Sequence, residues 1–159
     1  MGPIRRHALD GLFVVTSADY MSLHAANSLF TLMEWHGDSQ VSIPLGGLIL
    51  NNISSSFEES FISDFAAHTH ARTFGRIPRS LMVRQCELYG KTIIEAAPLS
   101  NQAYFYRRLA NQIVDAVQGG RHGAPPRPMQ PVQLRSWARE WGDRLFALEN
   151  GLVADGAAI

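Results

Sequence analysis

The sequence predicts an α/β fold in which a parallel β-sheet is flanked by helices. Two observations support this: short apolar runs alternate with longer segments of helical periodicity, and both are bounded by glycine, proline or helix-capping residues. Strands that alternate with helices pair in parallel, because a crossover helix returns the chain to the same end of the sheet. The length of 159 residues and the hydrophobic content of 46% allow one domain with a substantial core.

Three apolar runs are predicted strands, at residues 12–16, 47–50 and 73–77. The first is a continuous apolar run, which is typical of a parallel strand buried on both faces. Three strands are few for a doubly wound sheet, so we expect a further segment to complete it.

Helices are predicted from residue 17 to 36, from residue 56 onward, and over residues 80–89, 101–117 and 132–149. Apolar residues at helical spacing predict a core-facing stripe on four of them. The predicted stripes are Met21, Ala25, Leu29, Leu32 and Met33; Phe57, Phe61 and Phe65; Leu109, Ile113 and Val117; and Leu134, Trp137, Trp141 and Leu145.

Local residues set the predicted helix ends. Ser17 is the predicted N-cap of the first helix, with Asp19 in its first turn, and residues 56–59 fit a capping box. Ser100 is the predicted N-cap of the helix that follows it, and Gly90 lies where a helix stop belongs.

A Gly/Pro-rich stretch over residues 119–131, GGRHGAPPRPMQP, predicts a flexible linker. The predicted organisation is therefore an α/β domain over residues 1–118, the linker, and an amphipathic helix with a tail over residues 132–159.

Composition and motifs argue against several function classes. The formal net charge is zero, so we expect no nucleic-acid partner. No signal peptide and no apolar run of membrane-spanning length occur, so we expect a soluble cytoplasmic protein without a membrane partner. Cys86 is the single cysteine, which excludes an intrachain disulfide and a chelating cysteine pair. His68 and His70 have no third ligand nearby in the sequence, so no metal site is predicted.

The sequence also lacks a complete phosphate-binding P-loop. Gly90, Lys91 and Thr92 match the last three positions of that motif, but Gln85 stands where the motif requires glycine. Lys91 is the only lysine, so no other position offers the motif.

The loop after the third predicted strand is the candidate ligand site, because open α/β sheets bind ligands where strands end and helices begin. It offers Pro78, Arg79 and Ser80, and the carboxylate of Glu87 follows on the next helix. Without further information an ordinary β–α connection is the favoured interpretation, since short motifs match by chance.

A larger pattern around this loop matches a known family. The matching residues are Pro3-Ile4-Arg5, Val14-Val15-Thr16-Ser17, Ala25-Ala26-Asn27, Gly46-Gly47-Leu48-Ile49-Leu50-Asn51, Pro78-Arg79, Val83, Glu87, Thr92-Ile93-Ile94-Glu95, Gln102 and Tyr106-Arg107. Together they resemble the C-terminal half of the nitrogenase iron protein and of similar ATP-driven reductases, such as those of dark chlorophyll synthesis. The resemblance covers residues 3–115 and implies a short strand at residues 92–95.

The resemblance implies a partial P-loop NTPase-like fold, a parallel sheet flanked by helices, that lacks the N-terminal P-loop half. In the complete family that half holds the P-loop, both switch regions and both cysteines that ligate a [4Fe-4S] cluster shared across a homodimer. ATP with Mg²⁺ and the cluster are thus the implied cofactors of the complete protein, and we expect their phosphate site and cluster ligands to be absent here. Cys86 is not at a ligand position, so we expect a small buried hydrophobe.

The resemblance further implies the nucleoside end of an ATP site. Asn51 resembles an adenine-contacting asparagine, whose amide both donates and accepts hydrogen bonds. Pro78 and Val83 are expected to pack against the base, and Ser80 stands where relatives often have Asp.

The remaining implied site residues lie further along the chain. Glu87 is expected to accept hydrogen bonds from ribose hydroxyls, while Gln102 and Tyr106, four residues apart on one helix face, close the pocket. Each also has a local alternative, with Glu87 and Gln102 as solvated helix residues and Tyr106 at the core edge. Arg5 resembles a residue of the family's docking surface.

Two function classes follow. In the first, the chain is the C-terminal part of an iron-protein-like, ATP-dependent electron-transfer reductase and is not active alone. Its implied partners are a missing N-terminal half or a homodimer partner, and a catalytic component that accepts electrons. In the second, it is a non-catalytic interaction or regulatory remnant that binds a partner protein. A relative of the partitioning ATPases is a weaker third option, because those proteins share the α/β plan but not the pattern from Val83 to Tyr106.

Overall fold

The computed structural model describes residues 9–37, 44–121 and 123–151. Three strands and six helices occur within these ranges. In chain order they are β1 (Leu12–Thr16), α1 (Tyr20–Gly37), β2 (Leu45–Ile53), α2 (Ser56–His68), β3 (Thr73–Pro78), α3 (Leu81–Leu88), α4 (Ile93–Ala96), α5 (Asn101–Gln118) and α6 (Pro131–Glu149).

The strands form one parallel sheet in the order β1-β2-β3. Val14 on β1 lies opposite Leu48 on β2, and Ile49 on β2 lies opposite Gly75 on β3. Residues 45–50 of the central strand are all buried, as its continuous apolar run requires. The prediction of an α/β fold with a parallel sheet is thus confirmed.

One face of the sheet carries the main hydrophobic core. Val14, Leu48 and Leu50 lie on this face, because strand residues alternate between the two sides and paired residues share a side. They pack against buried residues of α1, α2 and α6, namely Leu23, Ala26, Phe30, Met33, Ile62, Phe65, Ala66, Leu134, Trp137 and Trp141.

Helix α5 packs on the opposite face of the sheet. A Cβ atom at Gly75 would lie 2.6 Å from Leu109 Cδ1, so glycine makes room for the Leu109 side chain in its present position. Ile49 and Ile77 share this face and are buried, whereas Val15 on β1 is 56% exposed. α5 therefore covers β2 and β3 and leaves the β1 end of this face bare.

The caps of α1 and α2 differ from the prediction. Asp19, and not Ser17, caps α1, because its carboxylate accepts a hydrogen bond of 2.8 Å from the Ser22 backbone N–H. In α2 the capping box is formed by Ser55 and Glu58. It begins one residue before the predicted box, which spanned residues 56–59. α1 therefore begins at Tyr20, two residues later than a cap at Ser17 implies, while α2 begins at Ser56 as predicted. In both helices a neighbouring polar residue satisfies the free N–H groups.

The predicted stripe on α1 is wrong in its first half. Met21 and Ala25 are exposed, while Leu23 and Phe30 are completely buried and Met33 is buried as predicted. Apolar residues occur on more than one side of α1, so packing against α2 and α6 decides which side faces inward.

The other stripes agree better with the prediction. Phe65 is completely buried, and Phe57 and Phe61 pack against the same core. On α6, the exception is Leu145, which is exposed. The three predicted residues of α5, Leu109, Ile113 and Val117, are half-buried.

The predicted strand at residues 92–95 is wrong, because these residues belong to the single helical turn α4. The Thr92 hydroxyl accepts a hydrogen bond of 3.3 Å from the Glu95 backbone N–H, and the Glu95 carboxylate accepts one of 2.8 Å from the Thr92 backbone N–H. This local capping box satisfies the first backbone donors and favours a turn over an extended strand.

The predicted flexible linker spans residues 119–131, of which Pro131 begins α6. The others form no helix or strand where they are described, and they are hydrogen-bonded to the body of the protein. The Arg127 N–H donates to the Thr69 carbonyl at 2.8 Å, and the Asn27 amide exchanges two hydrogen bonds of 2.8 Å with the Met129 backbone. The division into domain, linker and C-terminal helix stays a prediction.

Helix α6 is held against α2 by an aromatic cluster around one carboxylate. The indole N–H groups of Trp137 and Trp141 donate to Asp64 Oδ2 at 2.7 and 2.8 Å. Phe61 stacks on Trp137 with ring centroids 4.9 Å apart, and the Arg144 guanidinium lies 4.7 Å from the Trp141 ring centroid. The C-terminal helix is therefore part of the main core.

Candidate functional site

The carboxyl ends of β2 and β3 meet and form the floor of the candidate site. Ile53 lies opposite Pro78, and the Arg79 N–H donates to the Ile53 carbonyl at 3.0 Å. Asn51 is half-buried two residues before this contact. Asn52 follows with a φ of 61°, a left-handed conformation in which asparagine is one of the few tolerated residues. This conformation changes the direction of the chain at the end of β2, where the loop to α2 begins.

Helix α3 begins directly after this floor. Ser80 is its N-cap residue, but its side chain makes no capping hydrogen bond. Val83 is half-buried in the first turn, and Glu87 is exposed in the last turn. Gly90, with a φ of 64°, ends the helix as predicted: the Gly90 and Lys91 N–H groups donate to the last carbonyls in a Schellman arrangement.

Helix α5 contributes Gln102 and Tyr106. The predicted N-cap is confirmed, because the Ser100 hydroxyl accepts a hydrogen bond of 3.2 Å from the Ala103 N–H. Gln102 is 8% exposed, and its Nε2 donates to the Pro78 carbonyl at 3.3 Å. Tyr106 is half-buried one turn later. Gln102 is thus a buried residue that ties α5 to the end of β3, and the alternative of a solvated helix residue is wrong.

Of the seven predicted site residues, the structure joins Pro78 to Gln102 directly. The side chains of Glu87 and Tyr106 make no hydrogen bond to other described residues, and Glu87 is exposed to solvent. Arg5, the predicted docking residue, lies outside the described residues. The roles of all eight residues in binding stay predictions.

The sequence analysis missed a polar network in the loop after β2. The Glu58 carboxylate accepts hydrogen bonds from the Ser54 backbone N–H at 2.6 Å and from the Ser54 hydroxyl at 2.9 Å. Partial burial raises the pKa of Glu58, but these bonds, the Ser55 N–H and the charge of Arg79 outweigh it, so the pKa lies below its ordinary value. The signal was present, because Ser55-x-x-Glu58 is a capping-box pattern.

Cys86 is buried in α3 with 6% of its surface exposed, which confirms the expected small buried hydrophobe. Among the residues that the structure describes, no group of three or more His, Cys, Asp or Glu side chains is placed to hold a metal ion. No helix in the same part of the chain is both long and apolar enough to cross a membrane.

Two adjoining cavities lie beside the site, between β3 and α5. The larger, of about 530 Å³, is lined by Phe74, Gly75, Arg76, Pro78, Phe105, Arg108, Leu109 and Gln112. The smaller, of about 230 Å³, is lined by Arg72, Phe74, Gln112, Asp115, Ala116 and Arg121. Of the predicted site residues only Pro78 lines either one. The sequence did not predict these cavities, because their walls come from β3 and α5, which are separated in the sequence.

Comparison with known proteins finds one family model that matches this sequence and several similar proteins. The model of the family described as "4Fe-4S iron sulfur cluster binding proteins, NifH/frxC family" matches residues 1–143. Nitrogenase iron protein 2 of Paenibacillus durus is 40% identical over 156 residues, which are 98% of this chain and 52% of that protein. Nitrogenase iron protein 2 of Methanothermobacter thermautotrophicus is 34% identical over 139 residues, 87% of this chain and 49% of that protein.

Among solved structures, the cell division ATPase MinD of Pyrococcus furiosus is similar in fold. The two chains align with a TM-score of 0.52 at 17% identity, over 67% of this chain and 43% of that one. This likeness supports the P-loop NTPase-like α/β plan. The present chain spans about half the length of the iron proteins that it matches.

Proposed function

The chain belongs to the NifH/frxC family of 4Fe-4S iron–sulfur cluster-binding proteins, and on that premise we propose that it is the C-terminal part of an ATP-dependent electron-transfer reductase. We further propose that it carries the nucleoside end of the ATP site and acts in the cytoplasm. The observation that carries the proposal is the hydrogen bond from Gln102 to Pro78, which fastens α5 over the joined ends of β2 and β3.

In this proposal five of the seven site residues have a defined task. The Asn51 amide donates to and accepts from the edge of a purine, and the rings and methyl groups of Pro78 and Val83 pack against its face. The exposed Glu87 carboxylate accepts hydrogen bonds from ribose hydroxyls. Gln102 acts as a positioning residue, because its amide is already used on the Pro78 carbonyl.

The residues of this chain do not fit an iron–sulfur cluster. Such clusters are held by four cysteine thiolates, and this chain contains one cysteine, which is buried within α3. We therefore propose that the cluster ligands, like the P-loop and the Mg²⁺ ligands, are supplied from outside these 159 residues. No electron-transfer step is assigned to side chains of this chain.

The bare end of the sheet supports completion by an N-terminal half. β1 is an edge strand within the described residues, and its Val15 is 56% exposed although it lies on the face where Ile49 is buried. An open parallel edge with an exposed apolar residue is suited to pairing with a further strand. The second candidate, a non-catalytic module that binds a partner protein, would use the same surface without restoring catalysis.

Nucleoside binding is tested by titration calorimetry with adenosine. Asn51→Ala is expected to weaken adenosine binding about tenfold, which corresponds to about 1.4 kcal/mol for a lost hydrogen-bonding amide. Asn111→Ala, at an exposed position of α5, is the matched control and is expected to bind as the unchanged chain does. Equal affinities of all three proteins, or no binding of adenosine at all, would remove the nucleoside site from the proposal.

Completion is tested by coexpression with the N-terminal half of the Paenibacillus durus relative. Copurification and ATP hydrolysis are expected. Val15→Asp is expected to abolish both, because a charge would then lie on the face of the sheet that the added half is expected to cover. Val114→Asp on α5, at a position that is 50% exposed, is the control for the substitution itself. Copurification without hydrolysis would favour the non-catalytic module, and failure of the unchanged chain to copurify would contradict both.

A further inference from the structure

The outer edge of β3 is a second surface on which the sheet is open. Within the described residues β3 pairs with β2 alone, so the backbone N–H and C=O groups on its other side have no strand partner. Such an edge is a template for an added strand unless something blocks or covers it. β3 is six residues long, about 20 Å at 3.3 Å per residue. Its open part is residues 73–77, because Pro78 has no N–H and its carbonyl already accepts a hydrogen bond from Gln102.

The cavities beside β3 open onto this edge. Successive residues of a strand point to opposite faces, so a cavity confined to one face would be lined by alternate residues. The larger cavity is lined by residues of both faces, namely Gly75, which faces α5, and Arg76, whose guanidinium pairs with Glu59 on α2. The smaller one continues it from Arg72, and the two share Phe74 and Gln112. Together they form one groove, the β3–α5 groove, which on the sheet side is lined by residues 72, 74–76 and 78.

The walls of the groove are apolar in the middle and cationic along the rim. Phe105 is partly exposed, and Leu109 and Phe74 are half-buried beside it. Four arginines line the groove against one lining carboxylate, Asp115, although the whole chain carries equal numbers of cationic and acidic residues. The four are Arg72, Arg76, Arg108 and Arg121.

Not all of these guanidinium groups are free for a ligand. Arg76 is paired with Glu59 at 2.7 Å, and Arg72 donates to the Gly46 carbonyl at 2.6 Å and to the Arg121 carbonyl at 2.8 Å. Arg108 is exposed on α5 and makes no hydrogen bond or ion pair with other described residues. Its guanidinium is therefore the group most available to a carboxylate in the groove.

We propose that the β3–α5 groove binds an extended, acidic peptide segment of a partner protein, which adds to the sheet as a strand beside β3. Backbone hydrogen bonds to the open edge supply affinity, and alternate side chains supply specificity. Apolar side chains of the segment pack on Phe105 and Leu109, and a carboxylate pairs with Arg108. A segment of about five residues matches the open part of β3, residues 73–77. This surface does not involve the nucleoside-site residues other than Pro78.

The test uses a fluorescein-labelled six-residue peptide of alternating Glu and Val, measured by fluorescence anisotropy with the full chain. Binding is expected, with amide hydrogen-exchange protection in residues 73–77. Arg108→Glu is expected to weaken it tenfold or more, roughly the effect of losing a hydrogen bond to a charged group. Arg139→Glu, an equal change at an exposed position of α6, is expected to have little effect.

Two further peptides make the outcome decisive. The same peptide with N-methylated amides on alternate residues keeps its charge but loses strand pairing, and it is expected not to bind. A Lys–Val peptide is expected not to bind either. Equal binding of the Glu–Val and Lys–Val peptides would overturn the acidic partner, and binding of the N-methylated peptide would overturn strand addition.

The same experiment separates the partner from the chain's own tail. If the Glu–Val peptide binds only after deletion of residues 152–159, the tail fills the groove and the proposal of an external partner is wrong. Absence of binding to both the full and the shortened chain also overturns it. Neither outcome affects the adenosine titration, so this proposal and the nucleoside site stand or fall separately.

Discussion

The two faces of the sheet differ in how completely they are packed. On the face covered by α1, α2 and α6, Phe30 and Phe65 are completely buried and stack with ring centroids 6.2 Å apart. On the other face α5 lies close to β3, and within the described residues Val15 stays 56% exposed; on α3, Leu88 is also exposed. The first face therefore supplies most of the hydrophobic stabilisation, while the second carries the candidate site and the groove.

The difference also shows in what holds the local structure. Around α3, α4 and α5 the residues that fix the backbone are caps and turns, such as Thr92 with Glu95, Ser100 and Gly90. Between α2 and α6 it is a packed aromatic cluster around Asp64. Local hydrogen bonds contribute less than core packing, so substitutions on the two faces are expected to differ in size.

The largest expected effect is on the packed face. Phe65→Ala removes a completely buried ring and is expected to lower the free energy of unfolding by about 3–5 kcal/mol. Leu88→Ala on α3, where the side chain is 87% exposed, is expected to change it by less than about 0.5 kcal/mol. Urea unfolding followed by circular dichroism measures both. Similar losses would contradict the contrast between the faces.

The carboxylate between α2 and α6 is expected to give the next largest effect. Asp64→Ala leaves the indole N–H groups of Trp137 and Trp141 without their acceptor, at a cost of about 1–3 kcal/mol for each group left buried. Urea unfolding followed by tryptophan fluorescence measures the loss. Asp143→Ala, at an exposed position of α6, is the control. Equal stability of Asp64→Ala and the control would mean that water replaces the carboxylate.

The same carboxylate predicts a dependence of stability on pH. Burial raises the pKa of Asp64, but the two indole hydrogen bonds and the charges of His68 and Arg144 outweigh it, so the pKa lies below its usual 3.8. A lowered folded-state pKa stabilises the protein above the unfolded-state pKa, and that stability is lost as the pH falls through the folded-state value. Unfolding free energies between pH 5 and pH 2 are expected to fall less steeply in Asp64→Asn than in the unchanged chain, and parallel curves would contradict this.

Alanine substitutions at two glycines with open space around them are expected to change the free energy of unfolding by smaller amounts and in opposite directions. Gly90→Ala places a Cβ at a φ of 64° and is expected to destabilise the protein by about 1–2 kcal/mol. Gly142→Ala lies within α6, where the added Cβ meets no atom within 4 Å, and is expected to stabilise it by about 0.5–1 kcal/mol. Thermal and urea unfolding of both variants test this, and the same sign for both would contradict it.

The smallest expected effect tests the register of the α2 cap. Ser55→Ala removes the side chain that accepts from the Glu58 N–H and is expected to cost about 1 kcal/mol. Ser56→Ala, at the position where the sequence predicted the box to begin, is expected to change stability by less than about 0.5 kcal/mol. The reverse order in urea unfolding would restore the predicted register.

The sequence by itself determined the features that depend on residues close together in the chain. The three strands, the stop at Gly90, the cap at Ser100 and the aromatic stripe of α2 were all predicted, because periodicity and capping act over about four positions. The family was also recognisable in the sequence, from Asn51 and the residues that follow Pro78. Where a local prediction failed, as at Ser17 and Ser56, a second polar residue one or two positions away competed for the same N–H groups.

Only the tertiary structure decided which surfaces are buried and which are open. The inward side of α1 depends on α2 and α6, and the Asn27 amide is used by Met129, which lies 102 residues further on. Gln102 is buried because β3 ends beneath it. The β3–α5 groove exists because two elements separated in sequence lie side by side. Such contacts produce no periodic pattern in the sequence, because they are packing contacts and hydrogen bonds between residues that are far apart along the chain.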